Sequence, residues 1–275
     1  MELQGICHKM HAALKTHSVT DQSTSKANVE YKFILDRSET DLPFILGQEL
    51  EIEWTGNLFC TSCGSKTPKS YSQGHCFKCF KTKAECDLCI MKPETCNYHL
   101  GTCREDEFAH KVCFQPHIVY LALSSEVKVG VTRKTQVPTR WIDQGAVQAI
   151  PIVEVPNRYL AGITEVALKN HFADKTNWQK MLKNEVPNMD LIAERNKVFD
   201  WLPNEVKDYF PKEEKIIQMD FPVLQYPKKV SSLNLDKTPN FSGKLAGIKG
   251  QYLLFEDGTV FNVRTYEGYV VKMSL

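Results

Sequence analysis

The pattern of apolar and polar positions divides the chain into strand-rich ends, a cysteine-rich segment, and a central stretch where strands give way to a helix. Residues 29–35 read as a strand, and 49–54 alternates with period two, which predicts a half-buried one. The Ser/Thr-rich segment 16–28 reads as a loop. In the centre, Ile118-Val119-Tyr120-Leu121-Ala122-Leu123 is a β-branched and aromatic run, Ser124-Ser125-Glu126 a polar turn, and 127–131 a second alternating run, together a short hairpin. Residues 152–155 follow as a third strand and 160–172 as a helix, so three strands and a helix make one small α/β layer. Apolar stripes through 177–210 predict helices broken at Pro187 and Pro203.

Towards the C-terminus, 245–255 and 260–263 flank a turn around Asp257-Gly258 and form a hairpin signature, and 269–273 adds another strand. Three strands rarely close alone, so these are expected to pair with the N-terminal strands in one small β-barrel. The expected fold is α+β, with β segments at 1–58 and 213–275, a metal-binding subdomain at 59–114 and the α/β layer with its helices at 115–212.

Composition narrows the class. At 42% hydrophobic and 24% charged residues the chain reads as soluble and globular, and a net charge of +1 rules out a general polyanion binder. Any nucleic-acid site must therefore be a local basic patch. No apolar run approaches the roughly 18 residues needed to span a bilayer, and no signal-peptide core opens the chain, so the expected location is the cytoplasm. There, ten cysteines argue for metal over disulfides, and nine of them lie between Cys60 and Cys113. Cys7, far from the rest, reads as a buried or idle thiol.

Cys60-Thr61-Ser62-Cys63 and Cys76-Phe77-Lys78-Cys79 are two knuckles at zinc-ribbon spacing. Each puts two thiolates on one side of a tight turn, and the pair completes a tetrahedron. Around them Lys66, Lys69, Lys78, Lys81 and Lys83 stand among Tyr71, Phe77 and Phe80, with no acidic residue between 60 and 83. Such a ribbon suits a nucleic-acid backbone and stacked bases, or it balances the thiolate charge of a scaffold site. A second group holds Cys86, Cys89, Cys96, His99, Cys103 and Cys113, six candidates where one zinc needs four. The expectation is a second structural zinc on Cys89, Cys103 and Cys113, with Cys96 or Cys86 as fourth ligand.

The central polar residues, in their order along the chain, resemble the GIY-YIG nuclease superfamily. Tyr120 matches its first tyrosine, Arg140 its arginine, Glu165 its metal-binding glutamate and Asn177 its asparagine. Lys128 falls where the second tyrosine belongs, and Ile118 where the first glycine does. The resemblance implies metal-assisted attack of water on a phosphodiester. Glu165 would hold Mg²⁺ or Mn²⁺, Arg140 would stabilise charge on the phosphate, and Tyr120, with Lys128, would orient or deprotonate the nucleophile. Lysine can act as a base only if its pKa is depressed; otherwise it marks a fold that has lost the chemistry.

The zinc knuckles, 101–105, 128–133 and 140–146 together resemble an uncharacterised bacterial family over nearly the whole length, which implies a shared architecture. The leading functional reading is a zinc-stabilised, metal-dependent nuclease acting on DNA or RNA. The alternative is a non-catalytic zinc-dependent nucleic-acid-binding or adaptor protein, and a third is a structural or protein-interaction module, favoured by the near-neutral charge.

Overall fold

The computed structural model describes residues 2–19, 24–39, 46–172, 177–211 and 215–275. Three strands open the chain: β1 (Glu2–Val19), β2 (Thr24–Leu35) and the short β3 (Ser38–Glu39), followed by β4 (Glu49–Leu58). The cysteine-rich segment holds only short helices, α1 (Phe77–Thr82), α2 (Leu88–Met91) and α3 (Asp106–Phe108). The hairpin β5 (His117–Leu123) and β6 (Val127–Arg133) is followed by α4 (Thr139–Asp143), β7 (Gln148–Val155) and α5 (Arg158–Leu168). After α6 (Trp178–Leu182) and α7 (Leu191–Val198) come β8 (Ile216–Asp220), β9 (Ser231–Ser232), β10 (Asn240–Lys249), β11 (Tyr252–Phe255), β12 (Thr259–Asn262) and β13 (Tyr269–Ser274).

The fold is mixed α+β and sheet-rich. The strands run in the order β6-β5-β7-β8-β2-β1-β13-β4-β10-β11-β12-β9, with β3 beside β2. The N- and C-terminal strands pair as expected: Glu2–Ile6 of β1 lies against β13, and β4 lies between β13 and β10. The expected barrel does not form. β2 turns its other edge to β8, which joins β7, so the sheet runs on into the central layer and stays open.

Two further expectations are corrected. Most of the predicted loop 16–28 is strand, because the β1–β2 ladder continues to Val19 opposite Ser25; residues 20–23 lie outside the described residues. The apolar run 245–255 is two strands, since Gly250 takes a positive φ of 63° and turns the chain between β10 and β11. The Asp257-Gly258 turn between β11 and β12 forms as read.

β5 is buried along its full length because both its faces are covered. Val119, Leu121 and Leu123 pack on one side with Ala161, Leu168 and Val198 of the helices. Ile118, Tyr120 and Ala122 pack on the other with Trp141 and Ile142 of α4 and with Ala12 and Val29 of β1 and β2. A separate core of Met10, Phe33, Ile52, Phe255, Phe261 and Val271 fills the terminal half.

β1 changes partner near its bulge between His8 and His11, and the buried Gln251 amide supplies the ladder bonds lost there. Met10 N donates to Gln251 Oε1 at 2.7 Å, and Gln251 Nε2 donates to Met10 O at 3.1 Å and to Asp143 Oδ1 at 2.8 Å. This polar staple fixes the end of α4 against the sheet, and with it the helix that carries Arg140.

Candidate functional site

The first candidate metal site grows from the end of β4. Phe59 bridges Lys66 and Gly64 N donates to Cys60 O at 2.8 Å, closing a tight loop that turns Cys60 and Cys63 the same way. Cys76 caps α1, its Sγ accepting from Cys79 N at 3.5 Å, while Cys76 N donates to Cys60 Sγ at 3.2 Å. The four sulfurs all lie within 4.8 Å of one another, and Cys63 and Cys76 are 3.8 Å apart. Four thiolates around one zinc, at about 2.3 Å each, stand about 3.8 Å apart. These cysteines therefore could hold a metal ion such as zinc. Ser65, through its hydroxyl and N–H, holds the Cys63 thiol below its ordinary value, whereas burial and the three neighbouring thiols push Cys79 up. Four thiols at this spacing cannot all ionise without a cation among them.

Of the ribbon's basic residues, Lys66, Lys69, Lys78 and Lys81 are exposed. Lys69 lies over Tyr71 at 5.6 Å and Lys81 over Phe77 at 5.7 Å; both rings are exposed and 5.2 Å apart. Phe80 is half-buried beside Tyr71. Lys83 is committed elsewhere, to Glu105 at 2.6 Å.

Of the second cysteine group, Cys89, Cys96, Cys103 and Cys113 line one cavity of about 330 Å³, which Cys86 does not reach. Cys86 instead lies within charge range of Cys60, and His99 is exposed and away from the cavity. Among the described residues, the 4.8 Å spacing of the first site is met by no three of these thiols.

A second polar site lies in the central layer. Tyr120 pairs with Gly130 across β5 and β6, and its ring rests on that glycine: a Cβ there would meet the phenol oxygen at 2.7 Å. Trp141 packs edge-on at 5.7 Å. The Tyr120 hydroxyl is buried and makes no hydrogen bond, with the Gln144 amide and Arg140 guanidinium beside it. Burial pushes its pKa up to about 12, against the pull of Arg140. Lys128, opposite Ala122 and so on the same sheet face as Tyr120, is also buried, and desolvation and then Arg140 lower its pKa to about 8.

Glu165 of α5 is mostly sheltered and pairs with Lys169 at 3.7 Å. Burial raises its pKa, Lys169 opposes this, and Glu94 adds to it. The Glu165 charge reaches both Tyr120 and Lys128. Asn177 takes no part in this cluster: its Oδ1 caps α6, accepting from Lys180 N at 3.1 Å.

The sequence reading missed three residues near this site. Gln144 stands beside Tyr120, while Glu94 and Arg158 flank Glu165. Glu94 arrives from the cysteine-rich segment, where the turn Pro93–Thr95 packs directly on α5 at Gly162. No local spacing announces such a contact, because its partners are far apart in the chain.

Among the described residues, no helix is long and apolar enough to cross a membrane. The family model described as a protein of unknown function, DUF2797, matches residues 47–271. No curated protein and no solved structure gives a significant match.

Proposed function

The chain belongs to the DUF2797 family, and for this member we propose a GIY-YIG-like, metal-dependent phosphodiesterase centre acting on nucleic acid. One observation supports the reading: Tyr120, Lys128 and Arg140, from β5, β6 and α4, lie within charge range of one another on one face of the sheet, and the charge of Glu165, from α5 on the other face, reaches Tyr120 and Lys128.

In this account Glu165, released from its pair with Lys169, would hold one Mg²⁺ or Mn²⁺, which when bound would supply Lewis-acid polarisation of the phosphate. Arg140 faces charge developing on the phosphoryl oxygens with a planar pair of donors. Lys128, whose pKa is lowered by burial to about 8, takes a proton from the attacking water as the phosphorus–oxygen bond to the leaving strand breaks, and the leaving oxygen takes its proton from solvent. Tyr120 orients that water through its unpaired hydroxyl. Lys66, Lys69, Lys78 and Lys81, with Tyr71 and Phe77, grip the rest of the strand.

The test is cleavage of single- and double-stranded DNA and RNA with Mg²⁺ or Mn²⁺. Arg140→Ala is expected to lower the rate by about 10²–10³-fold, and Lys128→Met by about 10² or more. Glu165→Gln should abolish the metal dependence. Cleavage unchanged in Arg140→Ala and Glu165→Gln would refute the assignment.

A second reading, a non-catalytic binding protein, draws on the Glu165–Lys169 ion pair and the burial of Tyr120. It predicts no cleavage by the wild type, with salt-sensitive binding that Lys69→Ala and Lys81→Ala weaken.

A further inference from the structure

The four thiols of the second cysteine cavity fit a larger inorganic group than the first site does. Each comes from a different local device: Cys89 from α2, Cys96 from the end of the turn Pro93–Thr95, Cys103 after the left-handed Gly101, and Cys113 from the wide turn Ala109–Cys113. All four line one space of about 330 Å³. The contrast with Cys60, Cys63, Cys76 and Cys79 is internal to the same chain. There two knuckles bring four sulfurs within 4.8 Å, the spacing for one ion; here no three sulfurs meet that distance, yet all four cysteines line one cavity.

A single zinc would need every sulfur at about 2.3 Å from one point, which would collapse this cavity. A polynuclear cluster instead spreads its thiolates over the corners of an iron–sulfide core, filling the space.

The surroundings agree. Leu88, Ile90, Phe108 and Phe114 supply an apolar wall. One guanidinium, Arg158, whose charge reaches both Cys89 and Cys113, offsets negative charge of thiolates and sulfide, while Arg104 on the cavity wall is paired with Asp87 at 2.6 Å. Cys86, which has knuckle spacing to Cys89, takes no place on the cavity.

We propose that Cys89, Cys96, Cys103 and Cys113 bind an iron–sulfur cluster of the four-iron class, while Cys60, Cys63, Cys76 and Cys79 hold zinc. This assignment does not rest on the nuclease reading, since it concerns thiols that the phosphodiester chemistry does not use. It gives the cysteine-rich segment a metallic core, and the turn at Pro93–Thr95 carries that core's position to α5.

The experiment uses the full chain, purified without oxygen and supplied with iron and sulfide. The expected result is iron and acid-labile sulfide in equal amounts, about four of each per chain, with zinc retained and a broad visible absorption from sulfide-to-iron charge transfer. Cys96→Ser and Cys103→Ser should lose iron and sulfide and keep zinc. Cys63→Ser should lose zinc and keep iron, and Cys86→Ser should keep both. Should the variants fail to fold, the wild-type content decides. Two zinc ions and no sulfide would overturn the proposal, as would absence of iron after reconstitution.

Discussion

Lys249 lies fully buried at the end of β10, its Nζ donating to Asn184 Oδ1 at 2.7 Å and facing the rings of Phe221 and Tyr226 at 5.4 and 5.2 Å. Burial lowers its pKa from 10.5 to about 7. Between those values the unfolded chain holds a proton that the folded chain has released, so stability rises with pH across that window and is flat below it. Urea denaturation of wild type and Lys249→Met at about pH 6 and about pH 9 checks this: the wild type should gain stability relative to the variant at the higher pH. A constant difference between them would contradict it. Nothing around Lys249 in the sequence marked it, since a lysine in an alternating strand reads as solvent-facing. Lys128, by contrast, was singled out by its place in a familiar order of polar residues. Its burial became legible only in the folded chain, where it lies beneath the sheet surface within charge range of Arg140 on α4.

At the scale of elements, α5 is positioned by the cysteine-rich segment as much as by the sheet. A Cβ at Gly162 would stand 2.6 Å from Glu94 N and 2.7 Å from Pro93 Cβ. Glycine in an exposed helix interior costs about 1 kcal/mol relative to alanine, so Gly162→Ala in open solvent would stabilise. Here overpacking reverses the sign, and a loss of about 1–3 kcal/mol is expected. Hydrogen exchange should show faster opening of both α5 and the turn Pro93–Thr95. A gain in stability would mean that the two do not pack together. The elements themselves were largely readable: the hairpin, the helix after it and the four-cysteine cluster of the paired knuckles follow from local residues. The glycine contact, the partnership of β7 with β8 and the supply of Glu94 were not, because each is a long-range meeting with no period of its own.

The whole molecule depends on an open sheet whose two halves meet at β1, β2 and β8. The barrel expectation failed because strand alternation reports which face is buried and not which edge is paired. Gln251 spans the junction of β1, the β10–β11 turn and α4. Gln251→Leu orphans the N–H and C=O of Met10, at about 1–3 kcal/mol for each buried group. The urea midpoint should fall accordingly while the slope stays constant, and an unchanged midpoint would show that the staple carries no load. The claim on which the functional account turns is that Glu165 can exchange Lys169 for a divalent cation next to Tyr120, Lys128 and Arg140. A crystal structure of the chain soaked in Mn²⁺, read by anomalous scattering, tests it most directly. The account predicts a manganese peak on a Glu165 carboxylate oxygen, with Lys169 withdrawn and Arg140 open to a phosphate. Glu165 still paired to Lys169, with no manganese beside it at saturating metal, would contradict the nuclease reading.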